Sequence, residues 1–398
     1  MANGVRISNG VKLLKGIEAK VTELTFDSKV MVAVEQKTVK PPHWKEGEKI
    51  EYKVKYYKDT KTDVYSKKPA VYTIPESTDK KGIYVTVTVN VTKLERISGK
   101  ATLLGNLGGL KMRGEFQLKK GETIVKVKIE NPRKGIQWYK GAISWQLKIK
   151  GEPGANVLNG TFAEVFFILD KPADFYEKAQ GVWAEALRFL CKRAVIINIK
   201  DAKAVTDRIT RYCHGKKHGL KYDSKGGGGS KYEIGPGGGI FKLSRYLIRA
   251  NIFANCYDQA GALQSLCGAV GVSLQWIYMD PFGFIKTADL LGYGLCNNPF
   301  FKMNNTKQII TGKDIDNPSV RTGFGNHAFC ELKIEKIFDA CAGPHTGDSR
   351  NKYVKTSVDS DAGPFAKQSA GTQNDMHKKF FLHPYLGKIN ITGVTGVS

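Results

Sequence analysis

The sequence predicts a multidomain protein, with an N-terminal all-β, sandwich-like region followed by an α+β domain. Three observations carry that expectation. Up to residue 168, apolar and polar side chains alternate at period two between turn-forming groups. At Asp170-Lys171-Pro172 the composition changes, and apolar residues then recur at helical spacing. The 398 residues suffice for two or three domains.

Taken in order, the first strands are the clearest. Ile83 to Lys93 contains Tyr84-Val85-Thr86-Val87-Thr88-Val89-Asn90-Val91, and Thr123 to Glu130 and Ile143 to Lys150 alternate in the same way. Lys119-Lys120-Gly121-Glu122 and Asn131-Pro132-Arg133-Lys134-Gly135 supply turns between them. Two β-rich modules, 1–93 and 94–168, are expected, or one domain made of both. Neither carries a cluster of reactive side chains, so binding, spacing or mutual support is the expected role.

The remaining segment, 169–398, is expected to be one α+β domain. Asp170 can cap a helix starting at Pro172 that places Phe175, Ala179, Val182, Trp183, Ala186, Leu187 and Leu190 on one face. A second helix is expected from Asp201 to about His214. The Gly-rich stretch around Gly226-Gly227-Gly228-Gly229-Ser230 and Gly235-Pro236-Gly237 lacks the Gly-Lys-Ser/Thr ending of a phosphate cradle. It reads as a flexible linker, or as a mobile lid upstream of the reactive segment.

Composition narrows the function classes. Apolar residues make up 41% and charged residues 25%, as in ordinary folded proteins, but 62 Lys and Arg against 37 Asp and Glu leave a net charge of +25. Such a surface suits an anionic partner, although spread-out lysines also serve solubility and blunt sheet edges. No basic block interleaved with aromatics marks a nucleic-acid reader. The first residues lack the apolar core of a secretory leader, and no uncharged apolar run reaches the roughly 20 residues needed to span a bilayer. The expectation is a product made in the cytoplasm, with export by a leaderless route left open.

The seven cysteines, Cys191, Cys213, Cys256, Cys267, Cys296, Cys330 and Cys341, include no C-x-x-C pair. Reduced thiols fit best, most of them acting as small buried hydrophobes. A metal set of Cys330, Cys341 and His345 has poor ligand spacing, and His214 and His218 lack the Glu of a zinc-protease helix. No cofactor or metal is implied.

One segment stands apart. From Asp258, Ala262, Leu263, Leu266 and Val270 keep helical spacing until Gly268 and Gly271 close the helix, which puts Cys256 in its first turn. Unpaired N–H groups and the positive end of the helix dipole favour a thiolate there, and a thiolate can attack an amide carbonyl. His327 opens the strand His327-Ala328-Phe329-Cys330-Glu331-Leu332-Lys333-Ile334. A reversal near Glu335-Lys336 would bring Asp339, in Ile337-Phe338-Asp339-Ala340-Cys341-Ala342-Gly343, beside that histidine. The carboxylate would then fix the imidazole's tautomer and stabilise its cation.

Three short patterns occur in this order: Cys256-Tyr257-Asp258-Gln259-Ala260, His327-Ala328-Phe329-Cys330-Glu331 and Asp339-Ala340. They resemble the C-x-D-x-A, H-x-[WF]-x-E and D-[PA] patterns of the transglutaminase-like superfamily, whose fold belongs to the papain-like group. The resemblance covers residues 193–343, with Phe329 where Trp is commoner and Ala340 where Pro is commoner. It implies a catalytic triad of Cys256, His327 and Asp339 and an acyl-enzyme intermediate. It also implies an oxyanion hole built from the Cys256 N–H and one upstream donor, for which Asn255, Tyr246 and Tyr232 are the candidates. Water as acceptor would make the chain a protease, amidase or deamidase acting on a protein, peptide or peptidoglycan-like amide, and an amine would make it a transglutaminase. Hydrolysis is the expected outcome, in a role such as that of a bacterial effector delivered by a specialised secretion machine. The contrasting expectation is a binding or structural module that keeps the triad by descent.

Overall fold

The structure is a computed structural model that describes residues 14, 16–39, 42–54, 61–75, 82–95, 99–178, 180–225, 228–279, 282, 284–301, 322–333, 336–357 and 392–398. The N-terminal residues read for a leader, Gly226 and Gly227, the turn at Glu335, and most of the polar segment after Ser357 lie outside the described residues. Two compact units divide the chain, 1–168 and 169–398.

The first unit is built on one ten-stranded sheet. Its strands are β1 (Ile17–Phe26), β2 (His43–Lys45), β3 (Ala70–Thr73), β4 (Tyr84–Leu94), β5 (Lys100–Leu107), β6 (Leu110–Gln117), β7 (Gly121–Glu130), β8 (Gln137–Ile149), β9 (Asn156–Val157) and β10 (Thr161–Ile168). They run in the order β2-β1-β4-β7-β6-β5-β8-β10-β3, with β9 on β8, and curl into a half-barrel. All neighbours are antiparallel except β10 and β3.

Alternation explains the sheet's two faces. In β7 the side chains of Val125, Val127 and Ile129 are buried while Lys126 and Lys128 face out. Val85, Val87, Val89 and Val91 of β4 join the same core, with Leu103, Leu107 and the fully buried Trp145. Trp145 lies opposite Gly105, where a Cβ would come within 2.5 Å of the indole, so only glycine leaves room for the ring. The expected sandwich-like region is instead one curled sheet, in which β8 changes partner along its length. Its first half pairs with β10 and its second half with β5 and, at Gln146 and Leu147, with β9. Gly141, at φ 139°, lies in the first half, in a backbone conformation that glycine tolerates best.

The second unit mixes helices with small sheets. Its helices are α1 (Asp174–Lys178), α2 (Ala184–Phe189), α3 (Ala202–His214), α4 (Leu243–Leu247), α5 (Cys256–Gly268) and α6 (Arg350–Ser357). The single helix expected from Pro172 is broken into α1 and α2, since Gln180 and Gly181 both take positive φ and a short strand intervenes. Asp201 caps α3 by accepting from the Ala204 N–H at 2.8 Å.

Four antiparallel strands complete the part that matters for the site: β11 (Gln275–Met279), β12 (His327–Glu331), β13 (Ile337–Asp339) and β14 (His345–Asp348), in that order. Helix α5 is buried all round from Asp258 to Gly268. Its polar side chains therefore need partners. Gln264 has them, donating to the Leu274 carbonyl and accepting from the Val394 N–H, both at 2.8 Å. Cys330 of β12 reaches the Ala260 carbonyl of α5, while its neighbours Phe329 and Glu331 contact α6. So β12 is held between the two helices. No helix among the described residues is long and apolar enough to cross a membrane.

Candidate active site

Cys256 is the first residue of α5, and its placement follows from the residues around it. Asn255 is the N-cap, its side chain accepting from the Asp258 N–H at 2.9 Å while Asp258 accepts from the Asn255 N–H at 3.0 Å. This capping box fixes the turn on which the cysteine sits. As the first helical residue, Cys256 has a backbone N–H with no acceptor inside the helix, and it stands at the positive end of the dipole.

Asp258 does more than cap. Its carboxylate also accepts from Ser230 Oγ at 2.6 Å, the Lys231 N–H at 2.9 Å and the Tyr232 N–H at 3.1 Å. The described part of the Gly-rich stretch is thus tied to the helix start at residues 230–232, and Asn255 Nδ2 donates to the Gly228 carbonyl. A lid moving as a whole does not fit these ties. Asp258 is fully buried, and burial raises its pKa against the lowering effect of the four donors. Asp258→Ala would leave those donors without their acceptor. We expect a loss of at least about 3 kcal/mol, given about 1–3 kcal/mol for each unsatisfied buried group. Denaturant melts of the two proteins measure it, and hydrogen exchange at residues 230–232 should quicken in the variant.

His327 and Asp339 meet across β12 and β13. Imidazole Nε2 lies 2.8 Å from Asp339 Oδ2, with both side chains essentially unexposed. Asp339 is saturated with donors. Its Oδ1 accepts from the backbone N–H of Cys341 at 2.7 Å and, at 3.3 Å, from that of Ala342, and Oδ2 also accepts from Tyr353 Oη at 3.0 Å. Burial alone would raise the Asp339 pKa, but the charge and hydrogen bond of His327, with lesser help from His345 and the Cys341 N–H, bring it below the usual value. Burial would likewise lower the His327 pKa. The Asp339 carboxylate overrides this by charge and hydrogen bond, with a further contribution from Cys256, and raises it to about 10.

The other imidazole nitrogen, Nδ1, is buried without a partner in full hydrogen-bond geometry. Yet the Cys256 thiol is near enough to the ring to add to its hold on its proton. Loose contacts of this kind are common in sites without substrate. Tyr257, next to the cysteine, donates to Asn326 Oδ1, next to the histidine, which joins the two halves directly. Phe282 and Phe324 pack on the imidazole with ring centroids 4.9 and 4.8 Å away. The thiol is itself nearly enclosed, Cys256 being 4% exposed.

Of the three oxyanion-hole candidates, the two tyrosines have their hydroxyls engaged elsewhere, and Asn255 has one of its two amide N–H groups engaged. Tyr246 Oη donates to Gln259 Oε1 at 2.8 Å, Tyr232 Oη donates to the Asn251 carbonyl at 2.7 Å, and the Asn255 amide is turned to Gly228. His214 and His345, weighed as metal ligands, have other neighbours: His214 Nδ1 lies 3.2 Å from the Ala340 carbonyl, and His345 contacts Asp348 and Ser357.

Sequence reasoning missed three participants. Tyr222 is buried near the thiol, and burial, then the nearby Cys256, push its phenol well above the ordinary range, so it stays protonated. Tyr353 on α6 reaches Asp339. Arg350, at the start of α6, forms a two-bond ion pair with Glu331, Nε to Oε1 at 2.7 Å and an Nη to Oε2 at 2.8 Å. Only Glu331 carried a signal, as the last residue of the His327 pattern. No protein-family profile matches the chain, and no curated protein matches it in sequence.

Proposed function

We propose that this chain is a cysteine-nucleophile enzyme of the transglutaminase-like type, acting on amides through an acyl-enzyme. The observation that carries the reading is the buried 2.8 Å pair of His327 and Asp339 alongside a cysteine at the first residue of α5. With the thiol's proton already held on His327 Nδ1, the Cys256 sulfur attacks the carbonyl carbon, and the N–H of Cys256 stabilises the oxyanion. His327 then protonates the leaving amine. Asp339 holds the proton on Nε2, which leaves Nδ1 as the base, and steadies the imidazolium. Water as the second acceptor gives hydrolysis, our preferred outcome, and an amine gives cross-linking.

An activated ester tests this without knowledge of the substrate. With p-nitrophenyl acetate, the wild type should release one equivalent of nitrophenol in a burst and carry an acetyl thioester on Cys256 by mass spectrometry. His327→Ala should lose the burst. Adding an amine then separates the acceptors, since acetyl transfer to it marks a transferase and plain turnover marks a hydrolase. Acetylation spread over lysines, with no burst from Cys256, would refute the reading.

A second reading, a binding or structural module with a relict triad, rests on the enclosure of the site. Cys256 is 4% exposed and His327 is fully buried, so a carbonyl reaches the thiol only if the surrounding aromatic residues yield.

A further inference from the structure

Helix α6 carries no part of the Cys, His, Asp constellation, yet it is fastened at both ends and touches that constellation in the middle. At its first residue Arg350 is paired with Glu331 of β12. At its last residue Ser357 Oγ lies 3.0 Å from His345 Nε2, and His345 Nδ1 lies 2.7 Å from Asp348 Oδ2. Between the two, Tyr353 is buried, its ring packed on Phe329 at 4.6 Å and on His345 at 4.7 Å, with its hydroxyl on Asp339.

The Ser357, His345 and Asp348 arrangement has the hydrogen-bond order of a second nucleophilic triad. Its location argues against that role. Ser357 ends a helix, where carbonyls and the negative end of the dipole disfavour both an alkoxide and an oxyanion. Asp348 is also paired with Lys352. The arrangement is better understood as a fastening that anchors α6 to β14.

We propose that Tyr353 is a positioning residue of the triad, held on α6 by the Glu331–Arg350 pair and the His345–Ser357 contact so that its hydroxyl shares Asp339 Oδ2 with His327. The inference rests on the cysteine-enzyme reading. Tyr353 does not touch a reacting atom and acts through Asp339. The second donor on Oδ2 fixes the carboxylate's rotation and draws charge from the bond to Nε2, so the imidazolium is stabilised but not locked. Burial, followed by the Asp339 charge, raises the phenol pKa well above its ordinary range, so the hydroxyl remains a donor. The charged or titratable groups acting on Asp339 and Tyr353 include His327, His345, Cys341 and Cys256, with Arg350 on the same helix as Tyr353 and its partner Glu331 on β12.

The test is the pH profile of Cys256 alkylation by iodoacetate in the wild type, His327→Ala and Tyr353→Phe. This anion reacts fastest with a thiolate beside an imidazolium, so the wild type should give a bell-shaped curve that collapses without His327. Removing the hydroxyl leaves the Asp339 charge less shared, so the imidazolium holds its proton more tightly. The alkaline limb should then move up, by roughly half a unit, or about threefold in that protonation equilibrium, with only a severalfold loss at the maximum. A Tyr353→Phe curve that is lower but overlays the wild-type limbs would overturn the positioning role and reduce Tyr353 to structural support. A wild-type profile indifferent to His327 would overturn the cysteine-enzyme reading and this inference with it.

Discussion

Asp339→Asn is expected to slow the His327-dependent reaction of Cys256 by about 10²- to 10⁴-fold while leaving the fold in place. The reason lies in the donors around the carboxylate. Oδ1 faces the N–H of Cys341, so an asparagine would keep its carbonyl there and turn its NH₂ toward His327 Nε2 and Tyr353 Oη. Both now donate to that position. The imidazole would escape the conflict by moving its proton from Nε2 to Nδ1, the nitrogen that holds the thiol's proton in the proposed mechanism. The base is then blocked. The imidazolium also loses the counter-ion that raises its pKa to about 10. The sign of the pH dependence follows. A histidine raised from 6.5 stabilises the fold fully below that value and ceases to do so as pH rises through about 10, whereas the lowered Asp339 contributes above its ordinary value and is lost on acidification. Wild type minus Asp339→Asn stability should therefore be largest between these limits and shrink on either side, as read by denaturant melts across pH.

The second large effect is on stability. Glu331 has no exposed side-chain surface, and Arg350 is 10% exposed, so their pair sits in low dielectric. Arg350→Met would leave the carboxylate buried without its main partner, at a cost of about 3–5 kcal/mol. For a unit of this size that is a fall of roughly 6–20 °C in Tm, taking about 2–4 °C per kcal/mol. The pair itself is worth far less than its rupture, because both ions lose their hydration. Glu331→Leu combined with Arg350→Met should accordingly recover most of the loss. If the double variant is no more stable than the single one, something other than an uncompensated charge explains the cost.

Which parts were legible depended on how local their causes are. The start of α5 could be read because its signals are adjacent: Asn255, Cys256 and Asp258 lie within four residues, and the apolar spacing follows at once. His327 and Asp339 are 12 residues apart on consecutive strands, so a hairpin argument sufficed to bring them together. Arg350 and Tyr353 gave no such signal. Their partners are 19 and 14 residues away, and they fall in a polar stretch with little apolar periodicity. The tie from Asp258 to residues 230–232 was hidden for the same reason, since a Gly-rich composition reads as freedom until a distant carboxylate takes up its N–H groups. In the first unit the alternation identified the strands but not their assembly. One buried face is all that alternation encodes, and a sandwich and a curled sheet both provide it. The choice was made by β8 pairing with a different strand along each half of its length.

The central claim is that Cys256 and His327 act as one unit. Its most direct test is competitive labelling of the seven thiols with a limiting amount of iodoacetamide near neutral pH, followed by peptide mass spectrometry on the wild type and His327→Ala. All seven are buried, and Cys191 is at least as accessible as Cys256, at 5% against 4%, so exposure gives Cys256 no advantage. We predict that Cys256 is labelled first in the wild type and loses that lead in the variant. Labelling of Cys256 at the pace of the other six in both proteins would contradict the account.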